Sequence, residues 1–237
     1  MPESTPPIIY QLKIVLVGIS PMIWRRIRVS SNSTIADLHY IIQIVMGWKE
    51  EHLHQFLIHG VHYGINYPGT GGLMGNAHEI KLSKFGFRER ELFSYEYDFN
   101  CSWKHQIRVE AILPEESDLV LPVCTAGKGN CPPENCGGAI GFISLRQQHS
   151  RFELAVRMGE IILEGGIEEI VNHREELKEL HYWATINDKT DCTKINKLLS
   201  QYATGDEAWK DCLDQTITIG SKNERGICAR RWRISAR

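Results

Sequence analysis

Apolar residues fall at alternate positions through much of the first 142 residues and at every third or fourth position afterwards, so strands are expected early and helices late. Ile8 to Val17 reads as a strand, Gly18-Ile19-Ser20-Pro21 as a turn, and Met22 to Val29 as the return strand. Thr34-Ile35-Ala36-Asp37 has the form of a helix N-cap with an acidic residue three positions on. Ile35, Leu38, Ile41, Ile42, Val45 and Met46 then repeat at helical spacing, and Gly47 can end the helix in a left-handed conformation. His78 to Leu82 reads as a short strand and Phe85 to Glu91 as a charged turn. A hairpin follows. Tyr95, Tyr97 and Phe99 share one face, Asn100-Cys101-Ser102 turns the chain, and Trp103, His105, Ile107, Val109, Ala111 and Leu113 share the inward face of the next strand.

Beyond Phe142 two helical stripes are expected to pack on the sheet. Phe152, Ala155, Met158, Ile161 and Ile162 form one up to Gly165-Gly166; Ile167, Ile170, Val171, Leu177 and Leu180 form the next. The prediction is an α+β fold: a roll-like mixed or antiparallel sheet with a crossing helix, followed by a C-terminal helical segment. Residues 1–7 read as a disordered N-terminus and 8–200 as the α+β domain, with a sheet core over 8–142 and a helical part over 143–200. Residues 201–237 read as an extension ending in a basic tail.

The 237 residues carry a net charge of −2, so any nucleic-acid binding must be local rather than a global basic coat. Seven cysteines without a secretory signal, and no run long enough to span a bilayer, lead to the expectation of a cytoplasmic protein with free thiols or a metal.

Cys124, Cys131 and Cys136 follow a C-x6-C-x4-C spacing in a loop set by Pro132-Pro133 and Gly137-Gly138. Three thiolates make most of a tetrahedral zinc site, and His105 or a histidine between His52 and His62 could complete it. The same loop fits small cysteines packed as apolar groups, and His105 fits a hydrogen-bonded core residue. His52, His54, His59 and His62 crowd eleven residues, but alternation puts His59 on the face opposite His52 and His54. Pro68 to Gly75 is glycine-rich without the Gly-Lys-Ser/Thr ending of a phosphate loop.

Arg25 lies among Ile23, Ile27 and Val29 and needs a carboxylate or carbonyl partner, for which Glu96 or Asp98 would serve; a basic stripe for phosphates is the alternative. In the tail, Arg225, Arg230, Arg231 and Arg233 surround Trp232, a composition suited to nucleic-acid backbone and base stacking, and equally to a solvated terminus.

The segments YQLKIVLVGISPMIWRR, ADLHYIIQIVMGW, HLHQF, YEYDFNCSWKHQIRVE and CPPENCGGAIGF, in this order, resemble the plasmid Ri (pRiA-type) ORF-three-like family over Ile8 to Phe142. The resemblance implies a single α+β domain of roll type, in a family often labelled as plasmid or transposon passenger proteins and without an established activity. Asn100-Cys101 stands where the family tends to a glycine-aspartate turn, and Asp191 to Leu199 lacks the family's Asp-Pro and Phe positions.

A serine recombinase is excluded because the first segments are strands and Ser20 sits in a proline turn. No G-x-S-x-G, H-E-x-x-H or dinucleotide loop is present. The expectation is a non-enzymatic binding or adaptor module of plasmids or mobile elements, with nucleic acid or protein as partner. A zinc- or thiol-dependent enzyme using His105 with Cys124, Cys131 and Cys136 is the alternative.

Overall fold

A computed structural model describes residues 8–65, 74–115, 119–188 and 190–214, with the side chains of 164–171 left aside. Among the described residues, seven strands form one sheet: β1 (Ile8–Leu16), β2 (Trp24–Ser30), β3 (His54–Ile58), β4 (Val61–Tyr63), β5 (Leu92–Tyr97), β6 (Trp103–Pro114) and β7 (Val123–Lys128). Their order is β4-β3-β5-β6-β1-β2-β7, and every neighbouring pair is antiparallel. In the same described residues six helices accompany them: α1 (Ile35–Met46), α2 (Gly138–Gln147), α3 (Arg151–Asn172), α4 (Arg174–Ala184), α5 (Cys192–Ala203) and α6 (Ala208–Asp214). The fold is α+β with a helical C-terminal part, as the periodicities predict.

α1 covers one sheet face. Its start is fixed by a complete capping box: Thr34 accepts from Asp37 N–H and the Asp37 carboxylate accepts from Thr34 N–H. It ends at Gly47, whose φ of 73° is the left-handed geometry the sequence predicts. Ten of its residues are buried, including His39 and Gln43, and they meet the inward residues of β1, β5 and β6. Tyr95, Tyr97, Trp103, His105, Ile107 and Val109 all face this core, in agreement with the period of two.

Several boundaries differ from expectation. β5 runs from Leu92 to Tyr97, so Phe99 falls in the turn, where it is exposed; Asp98 and Ser102 adopt positive φ to close that turn. Residues 78–82 make no strand; Lys81 forms one bridge to Thr34 and a 3₁₀ turn covers Leu82–Phe85. Gly165-Gly166 do not end a helix, because α3 runs through them. Nor does the first stripe of α3 pack on the sheet: α3 is anchored through Leu154 and Ile161, which turns Phe152, Val156 and Ile162 outward. Two faces of this helix carry apolar residues, and spacing alone does not choose between them. Among the described residues no helix is long and apolar enough to cross a membrane. Residues 1–7 and the tail lie outside the described residues.

At the other end of the sheet α5 docks beside β7. The Asn196 side-chain amide accepts from Cys124 N–H (2.7 Å) and donates to Cys124 C=O (3.0 Å). Tyr202, near the end of α5, donates to Asp37 Oδ1 (2.6 Å), tying the helix to the start of α1.

Candidate functional site

The four residues expected to hold zinc are separated by their partners. Cys124, on β7, has its sulfur 3.9 Å from that of Cys192. Cys131 Sγ lies 3.0 Å from Arg25 Nη2 and 3.2 Å from Met46 Sδ. Cys136 is buried, its sulfur 4.0 Å from the Gly138 carbonyl. His105 sits beneath Trp48 and Tyr95, its Nδ1 3.0 Å from the Trp103 carbonyl. Burial lowers the His105 imidazole to a pKa of about 4, and burial raises the Cys131 thiol. No group of three or more His, Cys, Asp or Glu among the described residues is placed to hold a metal ion. The cysteines diverge because Pro132-Pro133 and the two glycines carry the loop around an aromatic cluster rather than around a common centre.

That loop is a clamp. Trp48 and Trp103 donate their indole N–H groups to the carbonyls of Pro132 and Glu134, both at 2.9 Å. The Glu134 carboxylate takes the Tyr97 hydroxyl and the Lys49 backbone N–H. Burial, and then this carboxylate, hold the Tyr97 hydroxyl far above its ordinary range. Gly138 is required where the loop passes the hairpin: with φ of 71°, a Cβ there would collide with the Cys101 carbonyl. Arg25 is buried and donates to the carbonyls of Val45 (2.9 Å), Trp24 (2.9 Å) and Lys128 (3.2 Å). Beside the Cys131 sulfur its partners are thus carbonyls, as one expectation allowed, rather than Glu96, which bonds Gln55 and Ser102, or Asp98, whose carboxylate accepts from Asn100 N–H. A cleft of about 420 Å³ lies between this clamp, the end of α1, Tyr182 of α4 and Ile195 and Leu198 of α5.

Deeper in the core lie His39, which the helical spacing of α1 does not single out, and His54, one of the four histidines crowded into residues 52–62. His39 and His54 stack with ring centroids 3.5 Å apart and planes 8° from parallel. His39 Nδ1 meets the Tyr95 hydroxyl (2.8 Å), which also accepts from Gln43 (2.9 Å), and His54 Nε2 accepts from Ile65 N–H (3.4 Å). Burial lowers both, to about 3 for His39 and about 2 for His54, the latter helped by its neighbour. They are a structural pair enclosed by α1 and β5. His52 and His59 stand apart, bonded to Asn135 and Glu91.

The opposite face of the sheet carries the charge. Alternate residues of β1, β2 and β6 that are not in the core point outward: Gln11 and Lys13; Trp24, Arg26 and Arg28; Lys104, Gln106, Arg108 and Glu110. The register sets Lys13 directly opposite Arg26 on one side and Arg108 on the other, so three cations lie in a row across three adjacent strands. Like charges in register repel. Glu110 relieves one of them by pairing with Arg26 through two guanidinium nitrogens. One step along, Trp24 has Lys13 Nζ 4.9 Å and the Arg26 guanidinium 5.4 Å from its ring centroid. Including Arg28 and Lys104, five cations on this face stand against Glu96 and Glu110, in a chain whose net charge is −2. The alternation placed each of these residues on a polar face; only the order β2-β1-β6 brings them together. The tail residues Arg225, Arg230, Arg231, Trp232 and Arg233 lie outside the described residues.

Known proteins are similar to part of this chain. The uncharacterized protein y4hQ of Sinorhizobium fredii (strain NBRC 101917 / NGR234) is 30% identical over 135 residues, which is 56% of this chain and 69% of that one. A protein of unknown function from Methanosarcina mazei Go1, known from a crystal structure, is similar at 37% identity with a TM-score of 0.54, covering 61% of this chain and 82% of its own. The profile of the plasmid pRiA4b ORF-3-like protein family matches residues 8–151, the span that holds the whole sheet, α1, the clamp loop and α2. The chain therefore belongs to the plasmid pRiA4b ORF-3-like protein family.

Proposed function

We propose that this protein is a non-enzymatic binding module whose partner is single-stranded nucleic acid, held on the open face of the sheet. The observation that carries this reading is the row Arg26–Lys13–Arg108 beside Trp24. Three cations in register cost stability in the free protein, and a polyanion laid across the strands would remove that cost. A sheet face with an aromatic ring among cations suits unstacked bases, which offer both a π-face and a backbone phosphate. The thiol alternative is disfavoured by chemistry: Cys131 is held as a thiol by burial, and His105 is a poor proton acceptor enclosed by Trp48 and Tyr95. The family's name points to plasmids, and association with a plasmid or another mobile element belongs to the same proposal.

The test is a titration of labelled single- and double-stranded oligonucleotides, followed by anisotropy. Three phosphate contacts give a salt slope of about −2, so a fivefold rise in salt should weaken single-strand binding by about 25-fold. The double variant Lys13→Glu/Arg108→Glu and the variant Trp24→Ala should each lose affinity, while Lys178→Glu on the exposed side of α4 should not. A chain ending at Gly220 separates the tail from the sheet. Binding lost on truncation but kept in the double variant would move the site to the tail. No binding at low salt would overturn the reading and leave a protein partner.

A further inference from the structure

Cys124 and Cys192 are 68 positions apart in sequence, yet their sulfurs lie 3.9 Å apart where α5 docks on β7. Both are free thiols. Cys124 is buried on β7, while Cys192, the first residue of α5, is only partly buried, which makes it the more accessible of the two residues. Closing the gap to the roughly 2.05 Å of a disulfide takes a movement of about 2 Å, which side-chain rotation and a small helix shift can supply. The surrounding contacts hold the pair in place: Asn196, one turn along α5 from Cys192, bonds both backbone groups of Cys124.

We propose that Cys124 and Cys192 form a reversible redox staple, in which a peroxide converts the two thiols to a disulfide that fastens α5 to β7. The Cys192 thiolate attacks one peroxide oxygen and the O–O bond breaks. Cys192 is left as a sulfenic acid, and the departing hydroxide takes up the proton the thiol released, giving water. The Cys124 sulfur then attacks the Cys192 sulfur. The S–S bond forms as the S–O bond breaks, and the leaving hydroxide takes the Cys124 proton as a second water. Two thiols lose two electrons together, and the peroxide is reduced to two waters. Burial raises the Cys124 thiol to about 12, consistent with Cys192 being the first sulfur to react. The staple would fix the helix that carries Ile195 and Leu198 into the cleft wall.

The experiment treats the full-length protein with hydrogen peroxide, blocks remaining thiols by alkylation, and maps peptides without reduction. A Cys228→Ser variant runs in parallel to remove the tail thiol. Free thiols should fall from seven to five in the wild-type chain, with a Cys124–Cys192 linked peptide in both proteins. The melting temperature should rise, and dithiothreitol should restore thiols and melting together. Cys192→Ser, at a partly exposed position, should abolish the linked peptide even if Cys124→Ser does not fold. Cys192 carried to sulfinic acid with Cys124 still a thiol, a linkage between other cysteines in its place, or an unchanged thiol count would overturn the staple.

Discussion

Acidification from pH 7.5 to 5.5 perturbs three rings at once. His39, His54 and His105 are all buried on the α1 side of the sheet, and burial is the first cause of each lowered pKa: about 3, about 2 and about 4. Unfolded, each ring titrates near 6.5. The folded chain therefore binds these protons less readily than the unfolded chain, and protonation draws the equilibrium toward unfolding. The stability the neutral rings contribute is complete above about pH 6.5 and is lost as pH falls from there toward the folded values. Within that window each ring costs up to about 1.4 kcal/mol per pH unit, so three together cost about 4 kcal/mol per unit. The groups around them offer little compensation. Glu50 Oε1 is 3.7 Å from His39 Nε2, but burial raises the Glu50 carboxyl. His54 faces the His39 ring and the Ile65 N–H; His105 faces the Trp103 carbonyl, Trp48 and Tyr95. Carboxylates held low by their partners, Glu110 by Arg26 and Glu176 by Arg157, add their own losses only below about pH 4.5. Urea unfolding at pH 7.5, 6.5 and 5.5 should show a loss of about 3 kcal/mol over the lowest unit, below the limiting slope because the unfolded rings are only half protonated at pH 6.5, and still a large part of the 5–15 kcal/mol typical of a native protein. His105→Gln should remove about one proton from the slope. A stability unchanged between pH 7.5 and 5.5, or a slope unaffected by His105→Gln, would refute the reasoning.

Trp103→Ala should cost about 3–5 kcal/mol in denaturant unfolding, because a fully buried indole leaves a cavity and the Glu134 carbonyl loses its donor. Arg25→Met should cost at least about 2 kcal/mol in the same assay, since the carbonyls of Val45, Trp24 and Lys128 lose a guanidinium donor in a buried setting. Because Cys124, Cys131, Cys136 and His105 have separate partners, dialysis against EDTA should leave the melting temperature unchanged. Stoichiometric zinc together with a chelator-sensitive melt would reverse that conclusion.

Local patterns were legible where local chemistry decides them. Thr34, Asp37 and Gly47 specify both ends of α1, and the alternation from Trp103 to Val109 specifies the buried face of β6. Relations across the chain were not. The C-x6-C-x4-C spacing could not reveal that the Cys124 sulfur faces Cys192, because that approach depends on where α5 docks. His39 reads as one polar residue in an apolar helix, and only the packing of α1 over β3 and β5 stacks it on His54. The row Arg26–Lys13–Arg108 needed the strand order, which alternation leaves open. The outward turn of Phe152 and Ile162 was missed because α3 carries apolar residues on more than one face, and tertiary contact chooses between them.

The amide of Asn196 has a further consequence. β7 is an outermost strand, and its free N–H and C=O groups are what a second chain could use to extend the sheet into an aggregate. By bonding both backbone groups of Cys124, Asn196 stands in for one residue of a neighbouring strand. Just beyond β7, Gly129 and Asn130 give their N–H groups to the carbonyls of Asp188 and Ile186, which continues the cover. The chain thus seals that border with its own C-terminal part. A protein cut before α5 would leave Cys124 open to strand-to-strand association, and its first symptom would be self-aggregation rather than unfolding.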